Sequence, residues 1–137
     1  SDVPCKGVFV AIGHAPATEL VKNILDKPFK QKYNGIYALD VFEHILKKNE
    51  QIFLLNICKS LAKDGVLILG TPSLESQKYA SKISKEGHVN CKNGDDLRHL
   101  LKKYFNNVFL FSMNDEVVHT GYNKMAHYLF AICCFKK

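Results

Sequence analysis

The sequence predicts one α/β domain, residues 1–137, with a mostly parallel sheet of about five strands and an antiparallel strand at its C-terminal end. Short apolar runs, typical of strands buried on both faces, alternate with segments of helical periodicity along most of the chain. This alternation favours parallel strands that are joined by helices. The last two apolar runs have no helical segment between them, and this favours an antiparallel return.

The first two predicted strands are separated by a short helix. "GVFVAIG", residues 7–13, is a continuous apolar run bounded by glycines. A helix is expected to begin near Thr18, because threonine is a good N-cap and apolar residues follow it at helical spacing. "GIYALDV", residues 35–41, is the second predicted strand and has an acid near its C-terminal end.

A longer helix is predicted between Asn49, its expected N-cap, and Gly65, where a left-handed C-terminal stop is expected. "VLILG", residues 66–70, follows at once as a third buried strand. The polar residues 74–94 predict a long loop with a short helix at 76–82. Loops of this length in compact domains are usually functional or disordered.

The C-terminal part predicts a helix and two strands. Asp95 is the expected N-cap of a helix whose apolar side carries three leucines and Phe105. "VFLFSM", residues 108–113, and "HYLFAICCF", residues 127–135, are the predicted strands. Residues 114–126 have no helical stripe, so a hairpin-like connection is expected between these strands.

Composition argues against several classes of protein. No apolar run approaches the roughly 20 residues that span a bilayer, and no signal peptide is evident, so we expect a soluble cytoplasmic protein without a membrane partner. The net charge of +6 comes from dispersed lysines, with Arg98 the single arginine, which argues against nucleic acid as a partner. The five cysteines form no CxxC pair and the six histidines have no HxxxH spacing, so free thiols and no metal site are predicted.

Four segments resemble, in order, the C-terminal two-thirds of class I S-adenosylmethionine-dependent methyltransferases. "YNGIYALDVFEHI" resembles the family's fourth strand and the motif after it, and "LLNICKSLAKDGVLILGTPS" resembles the following helix, turn and fifth strand. "GHVNCKNGDDLRHLLKKYF" resembles the segment leading into the last helix, and the last two strands resemble the family's antiparallel ending. The resemblance implies a Rossmann-like methyltransferase fold over residues 22–137, with 1–21 as an atypical strand and helix segment.

The resemblance also implies a site for S-adenosylmethionine and a small-molecule methyl acceptor at the C-terminal ends of the parallel strands. The residues implied for cofactor binding are Asn23, Leu39, Asp40 and Val41. Those implied for the substrate side are Glu43, Thr71 and Ser73. Asn23 stands where the family has an acid near the adenine amine, and an asparagine can accept one hydrogen bond from that amine.

Methyl transfer from a sulfonium needs an aligned donor and acceptor, and a general base only when the acceptor is oxygen or carbon. His44 and His88 are the candidate catalytic bases, since histidine titrates near neutral pH. Each has a structural alternative: His44 as a solvated residue at a helix start, and His88 as an ordinary loop residue. Glu43 similarly suits a helix N-terminus. The polar cluster in "NDEVVHTGY", residues 114–122, is better explained as a solvated turn than as a metal or catalytic site.

The family's glycine-rich turn, E-x-G-x-G-x-G, is absent, and those glycines allow the backbone to approach the cofactor. "CKGVFVAIGHAPATEL", residues 5–20, instead resembles a short segment of bacterial thioredoxin reductases, although the rest of such a flavin enzyme is missing. The chain therefore resembles a truncated, chimeric methyltransferase. Its start at Ser1 without an initiator methionine is consistent with trimming or with a piece of something longer.

We therefore expect a methyltransferase-like protein whose binding of S-adenosylmethionine is impaired. The alternative is a non-catalytic α/β domain or oligomerisation module that retains only the fold. Loss of the family's first three strands would leave residues 35–41 as an exposed sheet edge. Residues 7–13 are expected to pair with this edge, and otherwise a homo-oligomer is expected to cover it.

Overall fold

The computed structural model describes residues 7–11 and 18–137, with side chains from residue 22 onward. The strands are β1 (Gly7–Ala11), β2 (Tyr33–Leu39), β3 (Leu61–Pro72), β4 (Phe105–Asn114), β5 (Val117–His119) and β6 (Tyr128–Lys136). The α-helices are α1 (Thr18–Asp26), α2 (Glu50–Ser60), α3 (Lys82–Gly87) and α4 (Gly94–Leu101). Short 3₁₀ turns occupy Phe42–His44, Lys47–Asn49, Glu75–Tyr79 and Asn123–Met125.

The described strands form one six-stranded sheet in the order β1-β2-β3-β6-β4-β5. β1 pairs in parallel with β2, and β2 pairs in parallel with β3, so that Leu39 lies opposite Gly70 at the ends of their strands. Two expectations are thereby confirmed. The first apolar run covers the edge of the second, and the second and third runs lie side by side with their C-terminal ends together.

The prediction of a mostly parallel sheet is wrong. Of the five strand pairings between described residues, only those of β1 with β2 and of β2 with β3 are parallel. β6 inserts between β3 and β4 and runs antiparallel to both, and β5 adds a third antiparallel pairing at the edge. β4 runs in the same direction as β1, β2 and β3, but the insertion of β6 separates it from them.

Gly65 is not a helix stop, contrary to the prediction. α2 ends at Ser60, and Gly65 lies within β3 without a positive φ. A Cβ at this position would come within 2.9 Å of the Tyr33 carbonyl oxygen. The glycine is therefore needed because β3 bulges against the start of β2, where the pairing register shifts.

The predicted start and end of the last helix are also wrong. Asn93, not Asp95, is the N-cap, because its side-chain oxygen accepts a hydrogen bond from the Asp96 N–H. The helix ends at Leu101, and Phe105 already begins β4. Of residues 76–82, predicted as a short helix, 76–79 belong to the 3₁₀ turn Glu75–Tyr79, and only Lys82 belongs to α3.

The core lies between the sheet and its helices. Its largest fully buried side chains come from both layers and from the turn after β2, and they include Phe42, Phe53, Leu54, Leu67, Leu69, Leu97, Leu101 and Phe105. Each contributes on the order of 1.5–3 kcal/mol by leaving water. α1 is joined to α2 by the Asn56 amide, which donates to the Ile24 carbonyl at 2.7 Å. In the part of the chain that the structure describes, no helix is long and apolar enough to cross a membrane.

Candidate functional site

At Asp40 the chain leaves β2, at the edge of the sheet where the parallel strands β2 and β3 end. Its φ is 54°, in the left-handed region that aspartate tolerates better than most residues. Its backbone N–H donates to the Gly70 carbonyl oxygen and to the Tyr128 hydroxyl oxygen, both at 3.2 Å. These bonds join the ends of β2 and β3 to the beginning of β6, while the Asp40 carboxylate remains exposed.

Glu43 lies buried in the 3₁₀ turn that follows. Its side chain is 1% exposed, and its Oε2 accepts a hydrogen bond from Thr71 Oγ1 at 3.2 Å. The pKa of Glu43 is raised to about 7, mainly by burial and also by the nearby Asp40 charge, while its backbone hydrogen bond and that from Thr71 oppose the shift. At neutral pH the carboxyl group therefore exchanges between protonated and ionised forms.

His44 and His88 approach each other above this turn. Their ring centroids are 5.2 Å apart in an edge-to-face arrangement. His44 Nδ1 lies 2.9 Å from the Gly87 carbonyl oxygen, and His88 Nδ1 lies 2.8 Å from Gln77 Oε1. Burial lowers the pKa of His88, as does the neighbouring His44, whereas Asp40 opposes this shift.

Glu43, His44 and His88 form a cluster, which we call the Glu-His-His cluster. Each residue offers one carboxylate or imidazole atom, and these three atoms lie within 4.8 Å of one another. His44 Nε2 is 4.0 Å from Glu43 Oε1. The cluster brings together three residues that the sequence nominated separately, two as bases and one for the substrate, and its donor atoms are of the kind that hold a metal ion.

The remaining nominated residues occupy different environments. Leu39 is half-buried with its Cδ2 close to Gly70, and Val41 is fully buried. Ser73 is also buried, and its hydroxyl donates to the Ala126 carbonyl oxygen at 2.6 Å and accepts from the Ser76 N–H. Asn23 is exposed on α1, and none of the contacts between described residues joins it to the Glu-His-His cluster.

Sequence reasoning missed Tyr128, Gly70 and Gln77. The Tyr128 ring lies directly over Gly70, where a Cβ would come within 2.6 Å of the ring. Burial raises the pKa of the Tyr128 hydroxyl above its ordinary range. The glycine that ends the run "VLILG" was an available signal of such a close approach. Nothing in the local sequence pointed to Gln77.

Within the polar segment 114–122, the exposed turn at residues 115 and 116 was expected, whereas the short strand β5 (Val117–His119) that follows it was not. Asp115 and Glu116 are exposed in the two-residue turn between β4 and β5, with Asp115 at a φ of 52°. His119 accepts a hydrogen bond from the Gly121 N–H through its own Nδ1. The segment therefore forms a hairpin with β4 at the sheet edge, and none of its residues belongs to the Glu-His-His cluster.

This sheet, with polar side chains at the ends of β2 and β3, has the fold of S-adenosylmethionine-dependent methyltransferases. A possible histamine N-methyltransferase of this class from Thermotoga maritima matches with a TM-score of 0.70 and 14% identity, over 98% of this chain and 83% of that protein. The methyltransferase domain of bacterial CtHen1-C matches with a TM-score of 0.61 and 13% identity, over 82% of this chain and 58% of that domain.

A third structure is the N-methyltransferase NodS from Bradyrhizobium japonicum in complex with S-adenosyl-L-homocysteine. It matches with a TM-score of 0.54 and 16% identity, over 94% of this chain and 65% of NodS. No protein-family model and no curated protein matches the sequence. At these identities the structural likeness establishes the fold alone. The resemblance to thioredoxin reductases gains no support from these structures, and residues 5, 6 and 12–17 of that segment lie outside the described residues.

Proposed function

We propose that this chain is an S-adenosylmethionine-dependent methyltransferase-like protein whose cofactor binding is impaired. One observation carries the proposal: β2 and β3 end side by side, with Leu39 opposite Gly70, and the cluster of Glu43, His44 and His88 lies at that end, where Thr71 bonds to Glu43. Open α/β sheets bind their ligands outside the carboxyl ends of parallel strands. The shared fold supports the same location for the cofactor.

The proposed contact surface for the cofactor is formed by Leu39, Asp40 and Val41. The exposed Asp40 carboxylate suits a ligand that carries a positive sulfonium and a positive ammonium group, as S-adenosylmethionine does. The half-buried Leu39 offers apolar contact beside it. Asn23, on α1, is proposed to contact the adenine only if the ligand extends to that helix.

His44 and His88 are the proposed bases, with Glu43 and Thr71 beside them. The two imidazoles lie at the same end of the sheet as Asp40, so an oxygen or carbon acceptor held there would be within reach of a base. Ser73 is proposed to shape the substrate side through the turn at 75–79, which its hydroxyl anchors.

The proposed impairment follows from the sequence after β1. "IGHAPA", residues 12–17, carries one glycine where the methyltransferase turn has several, so side chains would meet the cofactor. We therefore expect weaker binding than in an intact enzyme of this class.

The second candidate is a non-catalytic domain that associates through its sheet edge. It is favoured by the position of β1, whose outer side pairs with no other described strand. A free edge of this kind is a template for pairing with a second chain. Sedimentation of the purified chain tests this candidate, which predicts a dimer or a larger assembly.

Calorimetric titration with S-adenosylmethionine and S-adenosylhomocysteine separates the two candidates. Saturable heat in the micromolar to high-micromolar range supports the cofactor site, and no heat with millimolar ligand contradicts it. In the variant Asp40→Asn, which suits a left-handed φ, the affinity for S-adenosylmethionine should fall more than that for S-adenosylhomocysteine, which lacks the sulfonium charge. The matched control is Asp64→Asn, an exposed position in the N-terminal part of β3, and it should leave both affinities unchanged.

A further inference from the structure

We propose that the Glu-His-His cluster binds one divalent first-row transition-metal ion, with zinc as the best-suited ion. The three donor atoms come from Glu43, His44 and His88 and lie within 4.8 Å of one another. One carboxylate and two imidazoles, with a further position left open, form a donor set that zinc uses in proteins. This inference goes beyond the proposed methyl transfer and does not depend on it, because an ion on both Nε2 atoms would occupy the lone pairs through which His44 and His88 could act as bases.

The hydrogen bonds of the two imidazoles favour metal binding. The Nδ1 atoms of His44 and His88 each face an oxygen acceptor, the Gly87 carbonyl and the Gln77 amide respectively. Each neutral ring therefore carries its proton on Nδ1 and leaves the Nε2 lone pair unprotonated. Metal-binding histidines in proteins almost always donate their other N–H to a carbonyl, carboxylate or water in this way.

The orientation of the Gln77 amide is set by a second contact. Its Nε2 donates to the Ser73 carbonyl oxygen at 3.2 Å, so its Oε1 is the atom that faces His88. Ser73 is itself held by the Ala126 carbonyl oxygen. Gln77 is thus a positioning residue that fixes the His88 ring.

Among the described side chains, no lysine or arginine forms an ion pair with the Glu43 carboxylate. Its Oε2 accepts from Thr71, and its Oε1 lies 4.0 Å from His44 Nε2, whereas no lysine or arginine of the described residues is within that distance. Burying a carboxylate without a positive partner is costly. A metal ion at the Oε1 side would supply the missing charge, and the exposed Asp40 carboxylate would add to the attraction.

The cluster joins two segments that are distant in sequence. Glu43 and His44 belong to the turn after β2, and His88 follows α3. Zinc ligand atoms lie about 2.0–2.2 Å from the metal, so the three donors must move closer than the present 4.8 Å. The side chains of His44 and His88 are partly exposed and do not belong to the packed core. Binding should consequently stabilise the folded chain.

The test is a titration of the untagged, EDTA-treated and dialysed full chain with zinc chloride, followed by calorimetry. Cobalt(II) absorption in the visible range reports the donor set independently, and neither measurement uses S-adenosylmethionine. We expect one equivalent of metal to bind with a dissociation constant in the micromolar range or below. Failure of methyl transfer or of cofactor binding would leave this result unchanged.

Substitution of the proposed ligands tests where the metal binds. His44→Ala and His88→Ala should each weaken zinc binding by at least about tenfold, and Gln77→Ala by about tenfold or more through loss of ring orientation. His99→Ala, at an exposed position on α4, is the matched control and should bind zinc as the parent chain does. Circular dichroism and urea unfolding establish that each variant is folded before its affinity is compared.

Two results would overturn the proposal. One is the absence of zinc binding at micromolar metal in the folded parent chain. The other is binding of equal strength by the His44→Ala, His88→Ala and His99→Ala variants, which would place the metal on other groups.

Discussion

Asp40 adopts a backbone conformation that most residues avoid, and this conformation places its N–H against two strands at once. A left-handed φ costs little for glycine, asparagine or aspartate and much more for a β-branched residue. The turn that carries Glu43 and His44 therefore depends on the residue type at position 40. Sequence reasoning named Asp40 from a family motif, but the physical reason for an acid there includes its tolerance of this φ of 54°.

The first prediction concerns this conformation. Asp40→Val should lower the free energy of unfolding by about 1–3 kcal/mol, because valine is strained at a positive φ. Asp40→Gly and Asp40→Asn serve as controls and should lose less than about 1 kcal/mol. Urea unfolding of the three variants measures the difference, and a valine variant as stable as the glycine variant would contradict the assignment.

A second prediction concerns the Cys133 thiol, which is fully buried in β6. Burial, with smaller contributions from the nearby Cys134 and Cys58, raises the pKa of this thiol from an ordinary 9.0 to about 12. Between these two pH values the unfolded chain releases the proton while the folded chain keeps it. Folded-state stability must therefore decrease as the pH rises above about 9.

The contribution of Cys133 to this decrease in stability can be measured by substitution. From pH 8 to pH 10 the free energy of unfolding should fall by about 1 kcal/mol less in Cys133→Ala than in the parent chain. Cys134→Ala, which leaves the buried thiol in place, is the control and should retain most of the fall. An identical pH dependence in the parent chain and in Cys133→Ala would show that this thiol does not titrate as described.

At the scale of elements, the N-terminus of α4 offers a direct test of helix capping. The Asn93 side chain accepts from the Asp96 N–H at 2.8 Å, and the exposed Asp95 lies inside the first turn. Asn93→Ala should therefore destabilise the protein by about 1 kcal/mol. Asp95→Ala should cost only a few tenths of a kcal/mol, from its interaction with the helix dipole. Equal losses in the two variants would argue against the observed cap.

The long elements could be predicted from the sequence because their apolar periodicity is local. "VLILG" and "HYLFAICCF" were recognised as strands since buried strands need continuous apolar runs. The 3₁₀ turns were missed because three to five residues are too few to show a period. The function of Gly65 was misread because its close neighbour, the Tyr33 carbonyl, lies across the sheet.

The candidate site was predictable only in part, for a similar reason. His44, Glu43 and His88 were nominated by motif, but their proximity depends on the path of residues 74–94, which carries no periodic signal. The bond between Asp40 and Tyr128 joins residues 88 positions apart. No local pattern encodes such a contact, because it is set by the register of β3 with β6.

At the scale of the whole molecule, the mixed sheet is what assembles the site. The parallel β2 and β3 bring two strand ends together, and the antiparallel β6 begins at that same end, with Tyr128 opposite Pro72. The antiparallel C-terminal strand was predicted, but its insertion between β3 and β4, which places Tyr128 at this end, was not.

Amide NMR spectroscopy tests directly the proposal that the adenosyl cofactor binds at the C-terminal ends of β2 and β3. We expect titration of the ¹⁵N-labelled chain with S-adenosylhomocysteine to shift the amide signals of Leu39, Asp40, Val41 and Thr71 saturably, while those of the β4–β5 turn stay in place. Unchanged spectra with millimolar ligand, or shifts confined to residues remote from these strand ends, would contradict the proposal.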